Sequence, residues 1–263
     1  MPRRRLATIA VGVVTSMSML VMNAAPAQAV DPGTVVAVIK AVKSAYDAYK
    51  QYTTHTMSLE QATAQIISAV NGAKQQILTE IDGIAAAQVR GCANAAVIDM
   101  ADLPGMSPDT KQAFARDATA CVTSAQAVIT TLSDKAAIDQ VGFAANIVGP
   151  IALVARAQSG LSSGIPALRS TLISLDQTVM TKLKPYCTAT GLWGDVPADG
   201  RAHMTDVDLR CTAYNGDTGT GWTMMSLRRG QTVPTAGIDF SSEIQQAARN
   251  TSYVVAQAAI ASL

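Results

Sequence analysis

Histidine is scarce in this chain: His55 and His203 are the only two among 263 residues. The four cysteines form no C-x-x-C pair and no histidine stands at zinc-ligand spacing from them, which argues against a zinc site and zinc hydrolysis. Aromatic rings are also few, with two Trp, three Phe and six Tyr. That count speaks against a glycosidase cleft built on paired carboxylates and against a β-sandwich, and it favours close-packed helices in an alanine-rich chain. Positive charge is clustered in one place only, Arg3-Arg4-Arg5. Nucleic-acid affinity comes largely from grouped Lys and Arg, so nucleic acid is not an expected partner. There is no twelve-residue EF-hand loop, no repeat of fixed period and no linker long enough to force a domain boundary.

What is present begins with an export pattern. Arg3 to Arg5 precede an uncharged apolar stretch from Leu6 to Met22, and Ala27-Gln28-Ala29 supplies the small residues a signal peptidase reads. Residues 1–29 are expected to be a cleaved secretory signal, and 30–263 a single secreted domain. The cleavage pattern follows the apolar stretch at once, which disfavours an uncleaved membrane anchor. Leu6-Ala7 after the arginines fits a twin-arginine signal only loosely. Removal of the signal leaves 17 basic against 19 acidic residues, a net charge of −2 in place of +1.

All four cysteines, Cys92, Cys121, Cys187 and Cys211, fall in the exported part. An even count in an oxidising compartment predicts two disulfides. The pairing Cys92–Cys121 with Cys187–Cys211 is expected because each bridge then closes one hairpin of the layout below, at about 3 kcal/mol each by loop entropy.

Apolar residues at three- and four-residue spacing predict helices along most of 30–185. Val35, Val38, Ile39, Val42, Tyr46 and Tyr49 line the first, opened by Asp31-Pro32. Ser58 and Gln61 form a capping box for a second. Its stripe runs from Leu59 towards Val97 and, unbroken to Met100, would measure roughly 60 Å. Gly72, Gly83 and Gly91 are the places where it could bend. Leu103-Pro104-Gly105 makes a turn, Ser107-Pro108 restarts a third helix, and Ser133 or Asp134 caps a fourth. Val141–Ala155 of that fourth helix carries no charge, so it is either enclosed by other helices or meant for lipid. At fifteen residues it is shorter than a bilayer span, which favours the central core position, and Pro150 should kink it. Leu168 to Leu183 mark a fifth helix, and Ser242 with Gln245 is expected to cap a last one.

Residues 186–240 read differently. Six glycines punctuate 191–221, and Val207, Leu209, Cys211 and Ala213 alternate with Asp208, Arg210 and Thr212 as a strand. Asn215-Gly216 signals a turn, and Trp222, Met224 and Leu227 a returning strand. The expected fold is mainly α: an elongated bundle of about six helices over 30–185 and 241–263, with a small disulfide-linked β-hairpin and loop region over 186–240.

Long amphipathic helices around one apolar helix, exported and cross-linked, resemble the helical domains of α-pore-forming toxins over residues 31–185. The resemblance is one of fold and implies that Val141–Ala155 would leave the bundle to enter a membrane; a bridge between the second and third helices would restrict such opening. A second pattern, Gly160-Leu161-Ser162-Ser163-Gly164, satisfies G-x-S-x-G, with Asp195 or Asp199 and then His203 in hydrolase order. The motif needs a strand-to-helix elbow, whereas helix precedes it here, so a linker is the expected reading. Asp195, Asp199, Asp206, Asp208 and Asp217 suit solvated loops; calcium is the one cofactor they would admit. The functional expectation is a secreted, non-enzymatic binding protein whose contact surface includes Trp193, His203, Asp206, Asp208 and Trp222, residues of loops on a rigid scaffold. Its partner would be an extracellular protein or cell-surface component. Membrane contact belongs to the pore-forming alternative and hydrolysis to the serine motif.

Overall fold

The computed structural model describes residues 32–263, so the expected signal over 1–29 lies outside the described residues, as does Asp31. Local signals set most helix starts. The first helix, α1, runs Pro32–Thr53, and Ser58 then opens α2, Leu59–Gly72, through a complete capping box. In it Gln61 N donates to Ser58 Oγ at 3.2 Å and Ser58 N donates to Gln61 Oε1 at 3.0 Å. Ser107 caps α5, Pro108–Thr131, with Pro108 in its first turn, and Asp134 caps α6, Lys135–Gln158.

The long second helix is the main correction. It breaks into α2, α3 (Lys74–Asp82) and α4 (Ala87–Asp99), followed by a 3-10 turn over Met100–Gly105. Gly72 and Gly83 sit at the breaks, where low helix propensity weakens the ladder, whereas Gly91 lies inside α4. Ile77, Ile81 and Ile84 stay buried across the interruption, so the apolar stripe survives although the helix does not. The reason is geometric: α2, α3 and α4 each pack on α6, which one straight rod crossing α6 at an angle would touch over only part of its length. The last helix also divides, into α8 (Ser241–Ala247) and α9 (Ser252–Ser262). Ser242 and Gln245 do not cap it; Thr251 caps α9 instead, its Oγ accepting from Tyr253 N at 3.3 Å. With α7 (Ile165–Leu183), these breaks account for nine α-helices among the described residues where about six were expected from periodicity.

α6 is the centre of the molecule. Every residue from Val141 to Ala155 is buried, and α1 to α5, α7 and α9 all pack on it. The helix is 24 residues long, enough by length and composition to cross a membrane, and 89% of its most apolar window is enclosed by protein. Pro150 stands inside it without ending it. Gly149 allows the closest approach: a Cβ there would lie 2.3 Å from the Tyr46 hydroxyl of α1.

The C-terminal third carries a three-stranded antiparallel meander, β1 (Tyr186–Gly191), β2 (Ala202–Thr212) and β3 (Thr218–Arg228), in that spatial order. The β2–β3 hairpin falls where the alternation placed it. Its turn is a three-residue loop with Gly216 at φ 87°, a left-handed position that suits glycine. β1 was not evident from the sequence. Both disulfides pair as expected: Cys92–Cys121 joins α4 to α5, and Cys187–Cys211 joins directly paired residues of β1 and β2.

A candidate binding face on the sheet

Alternation along the strands gives the sheet two unlike faces. The inner face carries Val207, Leu209, Cys211 and Leu227 against Val233, Phe240 and α8. α8 approaches so closely that β3 must be glycine beneath it. A Cβ on Gly219 would lie 2.0 Å from the Glu243 carbonyl oxygen, and one on Gly221 would lie 1.9 Å from the Glu243 carboxylate.

The outer face is open to solvent. Register places Thr190, Asp208 and Trp222 in one row across the three strands, and Thr188, Arg210 and Thr220 in the next. Asp206 stands opposite Met224, with Leu192 N donating to the Asp206 carbonyl at 2.8 Å at the end of β1. Trp222 is 70% exposed, Met204 61% and Met224 51%. Of the seven large hydrophobic residues exposed among the described residues, five belong to this face or its strand ends: Tyr186, Leu192, Met204, Trp222 and Met224. Leu192, Trp222 and Met224 line a shallow groove of about 830 Å³ whose polar lining includes Asp206, Asp208 and Arg210. Ion pairs among the described residues are His203–Asp199 and Arg249–Asp217, so these three charges on the outer face are unpaired.

The five residues nominated from sequence therefore separate. Asp206, Asp208 and Trp222 share the outer face. Trp193 is half-buried under the sheet, packed with Val207, Leu209 and Leu227, and Gly191 leaves room for its ring. His203 alternates with the outer row, and its Nε2 meets Asp199 Oδ1 at 2.8 Å. That contact, with the Arg201 N–H, holds the Asp199 carboxyl below the usual range.

The other aspartates disperse: Asp217 bonds Asn250 in the hairpin turn and Asp195 is exposed in the β1–β2 connection. No group of three His, Cys, Asp or Glu side chains among the described residues is placed to hold a metal ion. Ser162 sits in a 3-10 turn over Ser162–Gly164 between α6 and α7. Helix precedes and follows that turn, so the strand-to-helix elbow that the G-x-S-x-G motif requires is not formed at Ser162.

Sequence reasoning missed the group that anchors this sheet to the bundle. Tyr214, in the hairpin turn, donates its hydroxyl to Asp139 Oδ2 at 2.6 Å, and Asp139 belongs to the buried side of α6. Burial pushes the Asp139 carboxyl up to about 6, against the downward pull of the Tyr214 and Ser252 hydrogen bonds. The Tyr214 phenol is raised by burial and by the Asp139 charge. Glu80 of α3 is raised to about 7 by burial and by Asp139. Two turns further along α6, Asn146 meets Asp176 of α7, whose carboxyl is raised to about 8 by burial, with the Asn146 amide at 2.8 Å opposing the shift. The one available signal was a single acid at the edge of an apolar helix, Asp139, where a surface position was equally compatible with the spacing.

No protein-family model, no curated protein and no solved structure matches the chain.

Proposed function

We propose that this chain is a secreted binding module that recognises an extracellular protein or cell-surface component through the outer face of its sheet. The observation that carries the reading is the concentration of exposed Trp222, Met224, Met204 and Leu192 on one rigid face, around unpaired Asp206, Asp208 and Arg210. Monomeric surfaces rarely hold contiguous apolar residues without a use for them, and aromatic side chains with adjacent charge are the usual anchors of recognition. The two disulfides suit an oxidising compartment, in keeping with the export pattern of residues 1–29. Binding fits better than hydrolysis because Ser162 lies in a 3-10 turn between two helices, where no strand-to-helix elbow presents its hydroxyl.

The test uses the mature protein with Trp193→Phe, so that Trp222 alone reports. Titration with fractionated culture medium and cell-envelope material should shift Trp222 emission to the blue and yield a partner at fixed stoichiometry. Asp208→Ala should weaken its retention at least tenfold. Retention unchanged by both Trp222→Ala and Asp208→Ala overturns the assignment of this face.

A further inference from the structure

The free edge of β3 carries a second surface, and its chemistry is that of backbone. Ala213 N donates to the Asp217 carbonyl at 2.9 Å, which sets the phase of the β2–β3 ladder. In an antiparallel pair, bonded and non-bonded partners alternate. With the observed register, odd-numbered residues of β3 from Gly219 to Leu227 bond β2, and even-numbered ones turn their N–H and C=O away from it. The ends of this outward row are satisfied within the chain. Arg249 Nη1 donates to the Thr218 carbonyl at 3.2 Å, Arg228 N donates to Gln231 Oε1 at 3.0 Å, and Gln231 N donates to the Arg228 carbonyl at 2.9 Å. Between those ends, Thr220, Trp222, Met224 and Ser226 have no backbone partner on that side.

Edges of this kind are normally blunted by proline, lysine, a bulge or shortness. β3 is eleven residues long and has no proline and no charge from Thr218 to Leu227. β1, at the other side of the sheet, has only six residues.

We infer that β3 pairs antiparallel with β3 of a second copy of this chain, giving a two-fold dimer with one continuous six-stranded sheet. The four open residues select the register. An axis at Thr223 puts Trp222 opposite Met224 of the other copy and Thr220 opposite its Ser226, and every open N–H and C=O is then used. A shift of the axis to Trp222 or Met224 leaves one open residue facing Thr218 or Arg228, whose edge groups are already engaged. The same register is complementary in side chains: tryptophan meets methionine on the outer face, threonine meets serine, and no like charges are opposed. The outer faces of the two copies lie on the same side, so the dimer doubles the candidate binding face. The inference does not depend on that face having a ligand.

Light scattering of the mature protein at micromolar concentration should give twice the protomer mass. Met224→Pro removes one edge-facing N–H and no bond to β2, so it should halve that mass with the circular dichroism spectrum unchanged. Thr223→Cys should cross-link two copies under mild oxidation, since a non-bonded antiparallel pair holds its Cα atoms about 4.5 Å apart, within disulfide reach. Met225→Cys should not, because its counterpart lies about 14 Å along the strand. A monomeric wild type, a dimer unaffected by Met224→Pro, or a dimer in which Thr223→Cys cross-links no better than Met225→Cys overturns the proposal.

Discussion

Asp139 and Ser252 are joined twice: one carboxylate oxygen, Oδ1, accepts from the Ser252 backbone N at 2.6 Å and from its hydroxyl at 2.7 Å. Since Oδ2 accepts from Tyr214, a single side chain of α6 holds the first turn of α9 and the turn of the β2–β3 hairpin. Removing the hydroxyls separates these ties. Ser252→Ala should cost about 1–3 kcal/mol, because it deletes a charge-assisted bond to a buried group. Tyr214→Phe should cost a similar amount and should also loosen the hairpin. Thermal unfolding checks both, with a loss of about 2–4 °C per kcal/mol in a domain of this size.

The buried carboxyls make stability depend on pH in an uncommon direction. Asp139, Glu80 and Asp176 are raised to about 6, 7 and 8, so the folded state binds protons that the unfolded chain releases at ordinary carboxyl values. Stability is therefore full below about pH 4 on this account, and it is lost as pH rises through the folded values. Melting temperature should fall from pH 5 to pH 8.5. Asp176→Asn keeps the shape beside Asn146 and should flatten the part of that fall above pH 7. A melting temperature that rises over the same interval would contradict the burial of these groups. The same sign means that mild acid steadies the bundle around α6 and gives no release of that helix.

Lys182 bridges two helices without a carboxylate. Its Nζ donates to the carbonyls of Ile129, Thr130 and Leu132 at 2.8, 3.1 and 2.7 Å, so an ammonium from α7 closes the C-terminus of α5. Those carbonyls have no donors of their own within the helix, and the helix dipole favours a cation there. Lys182→Met should cost about 1.5–3 kcal/mol. Urea unfolding should show a lower midpoint at an unchanged slope.

These ties also show where the sequence was readable. Local chemistry was legible: Ser58 with Gln61, Ser107 with Pro108, and Asp134 each start a helix as their types predict, and both cysteine pairings follow from the hairpin layout. Alternation revealed β2 and β3 because their inner residues are Val, Leu and Cys. It did not reveal β1, whose inner positions are Cys187, Ala189 and Gly191 and whose outer ones are Thr188 and Thr190, giving no contrast of polarity. The breaks at Gly72 and Gly83 were hidden because the buried stripe continues through them, and only the curvature around α6 decides that the helix divides. The candidate face was half legible. Asp206, Asp208 and Trp222 share it through strand phase, whereas Trp193 and His203 lie near them in sequence and on the other side of the sheet. Tyr214 and Ser252 reach Asp139 across 75 and 113 residues, a separation that no local pattern encodes.

Glycine supplies a paired test of the packing beneath the candidate face. Gly91→Ala places its methyl group in open space in the middle of α4, so the helix gains about 0.5–1 kcal/mol. Gly219→Ala drives the same methyl group to 2.0 Å from the Glu243 carbonyl, and backbone cannot yield as a side-chain tip can. α8 must then lift from β3, exposing Phe240 and Ile244 of the cluster it covers and removing the support of the outer face. The expected loss is about 1–3 kcal/mol for overpacking of this kind. Hydrogen exchange should locate it, with amides of α8 and β3 losing protection while those of α6 keep theirs. Equal protection in Gly219→Ala and the parent protein would mean that α8 does not rest on β3 as described, and the rigidity ascribed to the binding face would lose its basis.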